Sequence, residues 1–172
     1  KPVMWSPVEK TALAEAEVEY EDITSTQIDV AFEIVDAPNA SDLKGAYAVI
    51  WTTTPWTIPV NQAIAYGPDV DYILNDFERE DGSIVSVLVA AQLLAQFEAR
   101  AGSPFLKNLY LRKRIKGSDL AGTIVRHPMH ELGGFFAKPR PMLAGDFVTT
   151  DSGTGLVHMA PDHGEDDFDL CK

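Results

Sequence analysis

Apolar and polar residues alternate in two stretches near the start of the chain, and this alternation predicts β-strands. From Ala14 to Tyr20, small or apolar residues alternate with glutamates. From Ile28 to Ile34, large apolar residues alternate with small or acidic ones. A period of two indicates a strand that has one face on the core and the other in water. The pattern therefore predicts two half-buried strands.

A different pattern follows between Ala46 and Trp51, where the chain is apolar throughout. An uninterrupted apolar run of this length predicts a strand that is buried on both faces. Pro55 and Pro59 then interrupt regular pairing, because proline lacks the backbone N–H that a sheet needs. The segment from Thr52 to Asn61 is therefore predicted to be a shaped loop at the end of a buried strand.

One hairpin and one helix stand out in the middle of the chain. Asp81 and Gly82 separate two strand-like runs, an arrangement typical of a tight hairpin turn. From Ala90 to Ala101, apolar residues recur at helical spacing, and Gly102 is well placed to end that helix. Further short strands are predicted at Leu109 to Ile115, Thr123 to Arg126, Met142 to Thr149 and Leu156 to Met159.

This succession of elements predicts a mainly β fold with a β-barrel core and short peripheral helices. The length of 172 residues suits one domain, so residues 1–172 are expected to form a single unit. The chain begins at Lys1 without a methionine and stops at Lys172, just after what resembles the first turn of a helix. We therefore expect this unit to be excised from a larger protein.

Composition and charge narrow the classes of function. With 45% apolar and 23% charged residues, the chain has the composition of a soluble globular protein. A net charge of -12 argues against a general polyanion binder, and the one basic run, from Lys107 to Lys116, is interpreted as a solvated strand edge. The single cysteine, Cys171, fits a reducing, cytoplasmic location. Neither a membrane-spanning run nor a signal sequence is apparent, so no membrane partner is expected.

Candidate chemistry is concentrated in two segments, of which the first extends from Trp51 to Asn61. Thr52, Thr53 and Thr54 place hydroxyls on both faces of a strand end, where a hydroxyl can hold a carbonyl, a water or a ribose. Trp56 offers a flat wall for an apolar group or a base. The structural alternative is that threonine is a common strand residue and that both tryptophans belong to the core.

The second segment extends from Gly153 to Asp167. Gly153 and Gly155, on either side of Thr154, allow a backbone to approach a ligand closely, and their amides could face an oxyanion. Three consecutive acids follow where a helix is expected to begin. Asp166 is expected to satisfy the first amides of that helix, whereas Asp167, one residue deeper, is expected to turn into the pocket.

Two other kinds of site are considered for the second segment. His158 and His163 are five residues apart with Asp166 and Asp167 nearby, so a metal-dependent hydrolase is an alternative. That spacing matches no common helical ligand pair, and Pro161 interrupts it. A Ser-His-Asp triad is weaker still, since no serine stands in the context of a nucleophile elbow.

Both segments resemble a known family. WTTTPWT at 51–57 and GTGLVHMAPDHGEDD at 153–167 are similar to the two signature stretches of the editing (CP1) domain of isoleucyl-tRNA synthetase, a class I aminoacyl-tRNA synthetase. KPVMWSP at 1–7 and ALAEAEVEY at 12–20 resemble the approach to that insertion. Thr54 and Trp56 favour the isoleucyl branch, since the valyl and leucyl enzymes usually carry arginine at the first position and lack the tryptophan. The HIGH and KMSKS motifs are absent, so amino-acid activation is not expected of this chain.

The resemblance implies a β-barrel-rich module that hydrolyses mischarged valyl-tRNA(Ile), with valyl-adenylate as a further candidate substrate. The implied partners are the 3′ end of tRNA(Ile) carrying valine, valine or its adenylate, and the rest of a parent synthetase. No cofactor or metal is implied, and a monomer is expected. A module that only binds the tRNA end, inactive without its parent, is the remaining alternative.

The resemblance also implies roles for individual residues. Asp167 would bind the substrate ammonium, while Thr53 and Thr54 would hold the carbonyl or the attacking water. His158 would be either a base or the pocket wall that excludes isoleucine, and we favour the wall. The other expected substrate-binding residues are Thr52, Gly153, Thr154, Gly155 and Asp166, together with Trp56 and Asn61, which would position the terminal adenosine or line the pocket.

Overall fold

A computed structural model describes residues 3–22, 24–102 and 105–172. Its principal element is a nine-stranded sheet, and a separate ribbon near the N-terminus pairs β1 (Trp5–Ser6) with β2 (Thr11–Ala12). The sheet consists of β3 (Ile28–Asp36), β4 (Tyr47–Thr52), β5 (Ala63–Tyr66), β6 (Asp71–Arg79), β7 (Ile84–Ala90), β8 (Leu106–Lys116), β9 (Ile124–Arg126), β10 (Arg140–Ala144) and β11 (Leu156–Met159). The α-helices are α1 (Leu94–Ala101) and α2 (Glu165–Leu170). Short 3-10 helices occupy Glu15–Glu17, Ser41–Leu43, Pro55–Val60, Ala91–Leu93, Gly117–Leu120, His130–Leu132 and Gly134–Ala137.

The strand order of the sheet is β11-β5-β10-β9-β3-β4-β7-β6-β8. The neighbouring pairs are antiparallel except for β5 with β10 and β4 with β7, which are parallel. Strands β4 and β11 are five places apart in this order, yet they pack against each other, so the sheet curls around its larger core. No ladder joins β4 to β11 within the described residues, so the layer is barrel-like without a closed hydrogen-bond ring. The predicted mainly β class is confirmed.

Strand β4 shows why an unbroken apolar run was informative. Ala48 and Ile50 face the larger core inside the curled sheet, whereas Val49 faces a second core on the other side. Helix α1 covers that second face with Phe97, whose ring meets Phe77 edge-on at 5.7 Å. The prediction of a strand buried on both faces is therefore confirmed.

The predicted hairpin and helix are also confirmed. Strands β6 and β7 are antiparallel neighbours, and Gly82 in their connection has a φ of +81°, which glycine adopts without a steric penalty. The 3-10 turn Ala91–Leu93 leads into α1, and the Gly102 amide donates to the Glu98 carbonyl at 2.7 Å where the helix ends.

Three predictions about strands were wrong or incomplete. Residues Ala14 to Tyr20 contain the 3-10 turn Glu15–Glu17 instead of a strand, because Ala and Glu also favour helical turns and the Ala14 amide donates to the Glu17 carboxylate at 2.7 Å. Strand β10 ends at Ala144, because the chain turns at Gly145, whose carbonyl accepts from the Val148 amide. Strand β5 was missed, since four buried apolar residues are too few to show a period.

The basic run lies on β8, at the edge of the sheet. Three of its side chains make ion pairs with acids: Lys107 with Glu78, Arg112 with Asp76, and Lys113 with Asp42. These pairs fit the interpretation of a charged, solvated edge that discourages pairing with another strand. In the part of the chain that the structure describes, no helix has the length and apolar character that crossing a membrane requires.

Candidate functional site

The two motif segments meet where β4 and β11 approach each other. Strand β4 ends at Thr52, and the chain then turns into the 3-10 helix Pro55–Val60, which Asn61 terminates. Strand β11 pairs with β5 so that His158 stands opposite Ile64. The Gln62 amide donates to the Met159 carbonyl at 2.9 Å, which fixes the end of the threonine loop against β11.

His158 is the centre of a buried hydrogen-bond network. Its Nδ1 lies 2.9 Å from the Asn61 side-chain nitrogen, and its Nε2 lies 2.7 Å from the Thr57 hydroxyl. The Asn61 nitrogen also donates to the Ala63 carbonyl at 2.8 Å, so Asn61 must be the donor to Nδ1. Thr57 donates its own hydrogen to the Thr54 carbonyl at 2.8 Å, so it accepts from Nε2–H. Only the Nε2–H tautomer satisfies all of these bonds.

This environment keeps the imidazole neutral. Burial, with smaller contributions from the nearby His127 and His163, lowers the pKa of His158 to about 4. With one nitrogen donating and the other accepting inside the protein, neither is presented to a substrate. The geometry therefore favours the role of a fixed wall over that of a general base. Thr57 and Asn61 are the orienting partners that the sequence did not reveal.

The threonine loop contains two buried and two exposed threonines. Thr52 and Thr57 are buried, and the Thr52 hydroxyl accepts from the Thr54 amide at 3.0 Å and lies 3.1 Å from the Thr54 hydroxyl. Thr53 and Thr54 are exposed, and their contact with a substrate stays a prediction. Trp56 is 65% exposed, so the alternative that it belongs to the core is wrong. It remains available as a flat contact surface.

Asp167 lies at the far end of β11, at the start of α2. Its Oδ2 accepts a hydrogen bond from the backbone amide of Ala160 at 2.7 Å. Ala160 follows His158 by two residues. Burial is the largest cause that raises the pKa of the Asp167 carboxyl, and the neighbouring Asp166 also raises it. Gly164 is the N-cap of α2, so Asp166 does not occupy the capping position, although it lies in the first turn with a favourable dipole interaction.

The glycine segment has a packing role at the other end of β11. Gly153 and Gly155 have φ of +81° and +75°, and a Cβ on Gly155 would lie 2.4 Å from the Ala90 Cβ. The Ala90 amide donates to the Thr154 carbonyl at 2.8 Å, and Tyr72 donates to the Gly155 carbonyl at 2.6 Å. His158 lies three positions after Gly155 along the chain, which is about 10 Å in an extended strand. Contact of this segment with a substrate stays a prediction.

Asn61 and Thr154 are 0% and 1% exposed, so neither offers a surface to a ligand in this conformation. Their predicted direct contact with substrate stays untested, whereas their supporting contacts are visible. Two buried side chains from the segment 127–140 hold the loop from beneath. His127 bonds the Ile58 carbonyl at 2.8 Å, and Arg140 donates to the Asn61 carbonyl at 2.9 Å. No sequence pattern distinguished them from surface residues.

An open cleft of about 680 Å³ lies beside the start of α2. One side consists of residues 162–165, and the other consists of residues between positions 3 and 20, including the exposed rings of Trp5 and Tyr20. Among residues 3–22, 24–102 and 105–172, no three His, Cys, Asp or Glu side chains converge as metal ligands. His158 and His163 therefore do not form the ligand set that the metal alternative requires there.

The sequence aligns over its whole length with isoleucine–tRNA ligases. It is 57% identical over 176 residues to the enzyme of Zymomonas mobilis, an alignment that covers 100% of this chain and 17% of that protein. The chain is a homologue of a segment of isoleucine–tRNA ligases. It is also 53% identical over 178 residues to the Gluconobacter oxydans ligase, covering 100% of this chain and 18% of that protein. The chain thus spans less than a fifth of these curated relatives, and no family model matches it.

Solved structures give the fold of this ligase segment. The crystal structure of GlLeuRS-CP1 matches with a TM-score of 0.61 at 20% identity, covering 84% of this chain and 58% of that one. The editing domain of the P. knowlesi cytosolic leucyl-tRNA synthetase matches with a TM-score of 0.59 at 12% identity, covering 88% and 64%. The chain therefore has the fold of these editing domains.

Proposed function

We propose that this chain is the editing module of an isoleucine–tRNA ligase and that it hydrolyses the ester of valyl-tRNA(Ile), with valyl-adenylate as a second substrate. The observation that carries the proposal is the arrangement around the end of β11. There the partly buried carboxylate of Asp167 accepts from the amide of Ala160, two residues after His158, whose neutral imidazole is held by a hydrogen bond at each ring nitrogen. The exposed residues Thr53 and Thr54 belong to the loop that holds that imidazole.

Asp167 has the properties expected of an ammonium receptor. Its carboxylate is desolvated, which raises its pKa and makes the charged form costly until a cation arrives. An α-ammonium supplies that cation with charge-assisted hydrogen bonds. Because Oδ2 is already held by the Ala160 amide, the carboxylate has a fixed orientation towards its ligand.

The ester is the reactive part of the substrate and needs little acid–base help. Thr53 and Thr54 can donate to the carbonyl oxygen or orient a water, so that attack proceeds by positioning and electrostatic stabilisation. His158 takes no proton in this scheme, since both ring nitrogens are engaged. Its fixed carbon edge forms the wall that admits valine and excludes the extra methylene of isoleucine.

The partners follow from this assignment. The single-stranded 3′ end of tRNA(Ile) enters the pocket, with Trp56 as a surface for the terminal base, and the remaining tRNA contacts belong to the parent ligase. An acidic domain binds this end weakly on its own. Residues 1–172 act as one monomeric editing domain in the cytoplasm, and the chain catalyses no aminoacylation.

The decisive experiment removes the charge of the Asp167 side chain and keeps its shape. Asp167→Asn should lower kcat/KM for valine release from valyl-tRNA(Ile) by roughly ten- to a hundredfold, the value of a charged hydrogen bond. The same tRNA esterified with the α-hydroxy analogue of valine has no ammonium, so the variant should cleave it as the native chain does. Asp169→Asn, an exposed change on the same helix, should alter neither rate.

Near-normal release of valine by Asp167→Asn would contradict the proposal, as would an equal loss on both esters. Binding of a non-hydrolysable valyl-adenosine without turnover of the ester would instead favour the binding-module alternative. Stoichiometric metal in the purified protein, with hydrolysis lost on chelation, would favour the metal-dependent alternative.

A further inference from the structure

We propose that Arg140 is a positioning residue for the editing site, because it fixes Asn61 and thereby the ring of His158. The role that we give it in activity rests on the proposed function. The effect of Arg140 on the His158 ring does not rest on the proposed function, and it can be measured without any substrate.

Arg140 is a buried cation that forms no ion pair with an acid in the part of the chain that the structure describes. It begins β10 and is 2% exposed. Three backbone carbonyls accept from its guanidinium instead: Asn61 at 2.9 Å, Lys138 at 2.6 Å and Phe135 at 2.9 Å. The ring of Phe135 stacks on the guanidinium with 4.6 Å to its centroid. A buried charge without a counter-ion is costly, so a merely space-filling role would be served better by an apolar residue.

Asn61 transmits the position of Arg140 to the site. Its amide donates to the Ile58 carbonyl at 3.0 Å, and its own carbonyl accepts from Arg140, so the backbone is held on both sides. Its side-chain nitrogen donates to Ala63 and to His158. The side-chain oxygen, Oδ1, is buried and has no partner among the described residues. The amide orientation therefore depends on its two donor bonds alone, and these depend on where the backbone of Asn61 lies.

His127 gives the same loop a second anchor. It is fully buried, accepts at Nδ1 from the Met129 amide at 3.0 Å, and therefore donates from Nε2 to the Ile58 carbonyl at 2.8 Å. The loop carbonyls of residues 58 and 61 are thus held by two side chains that approach from one neighbouring segment. His127 fixes one point and Arg140 the next, so loss of Arg140 should release Asn61 without unfolding the whole loop.

If Asn61 is released, its side-chain hydrogen bond to Nδ1 of His158 is altered. That bond is the one that defines Nδ1 as an acceptor. The ring can then rotate or exchange tautomer, and its carbon edge no longer has a fixed place. In an editing site this predicts slower hydrolysis of the valyl ester and, more specifically, poorer exclusion of the isoleucyl ester. A purely structural role for Arg140 would lower stability and leave that ratio unchanged.

The test uses Arg140→Lys in the 172-residue chain, since lysine keeps the charge but lacks the planar fork that reaches three carbonyls. Arg126→Lys is the matched control, because Arg126 lies on the adjacent strand β9, is half-exposed and pairs with Glu33. Two readouts are needed: long-range ¹H–¹⁵N spectra of the imidazole rings, and single-turnover hydrolysis of valyl- and isoleucyl-tRNA(Ile). Melting curves report stability separately.

Arg140→Lys should give broadened or doubled His158 ring signals and a valyl hydrolysis rate about tenfold lower, with the valyl-to-isoleucyl ratio reduced. Arg126→Lys should keep the native His158 signals and the native ratio. A folded Arg140→Lys chain that matches Arg126→Lys in both readouts overturns the proposal. If Arg140→Lys does not fold, Phe135→Leu removes only the stacked ring, and unchanged His158 signals in that variant overturn it equally.

The two readouts separate this inference from the proposed function. If the native chain hydrolyses neither ester, the proposed function fails, and the ring spectra alone decide whether Arg140 positions His158. If the native chain hydrolyses valyl-tRNA while the Arg140 variant has native spectra and a native ratio, the function stands and the positioning role is refuted.

Discussion

Acidification from pH 7 to pH 5 should destabilise the chain through His158. The pKa of this residue is about 4 in the folded chain, because burial disfavours the charged ring, compared with 6.5 when it is exposed. Below pH 6.5 the unfolded chain therefore takes up a proton that the folded chain refuses. The free energy of unfolding must fall as the pH falls from 6.5 towards 4.

The magnitude follows from the two pKa values. Linkage gives a loss of about 2 kcal/mol in unfolding free energy between pH 7 and pH 5, and about 3 kcal/mol once the pH is below 4. His127 adds to this loss, because burial lowers its pKa as well. Asp167 opposes it, because burial raises the pKa of that carboxyl and acid then favours the folded state.

Comparison with a variant isolates the contribution of His158. Urea unfolding, followed by tryptophan fluorescence at pH 7, 6 and 5, gives the unfolding free energy of the native chain and of His158→Gln. The native chain should lose about 2 kcal/mol more than the variant over this range, because glutamine cannot titrate. Parallel pH profiles for the two chains would refute the reasoning, since they would mean that the ring gains its proton without cost in the folded state.

Two further predictions concern how the motif segments are held together. Gly155→Ala should lower the unfolding free energy by about 2 to 4 kcal/mol in urea titrations, since its Cβ would meet Ala90 at a positive φ. Gly82→Ala, at a similar φ in open space, should cost only about 1 kcal/mol. Arg100→Met should lower the unfolding free energy by about 1 to 3 kcal/mol, because Arg100 donates to the Gly153 carbonyl. The same change should shift tryptophan emission, because Arg100 stacks on Trp51.

The predictable parts of the fold were those with a local signal. Strand β11 was predicted with its observed ends, and α1 with its glycine cap, because alternation, helical spacing and a terminal glycine are written within a few residues. Strand β5 has no such signal, since its identity depends on pairing with β10 and β11, which lie far along the chain. The Ala-Glu alternation before Tyr20 failed for the converse reason. Its period was right for a strand, but no neighbouring strand meets it in the described structure.

The candidate site shows the same division. The motifs gave the residues, but sequence could not tell that the Asn61 side chain donates to His158, since that contact depends on the turn that brings β5 beside β11. Thr57 lay within the first motif and received no role, because a hydroxyl three residues after Thr54 has no evident partner until the loop becomes a 3-10 helix. Arg140 was harder still to predict, since nothing in the sequence around it marks it as buried.

The neutrality of His158 has a consequence for how a substrate would be oriented. Under the proposed function, a protonated His158 would compete with the substrate ammonium for the carboxylate of the site and would repel that ammonium. Because both ring nitrogens are engaged and the pKa lies near 4, that competition is absent at neutral pH. In the proposed function, the ammonium then has the partly desolvated carboxylate of Asp167 as its partner, and the ester carbonyl of the substrate extends from that point. The threonine loop, anchored to the same imidazole through Thr57, is the part of the site that can meet it.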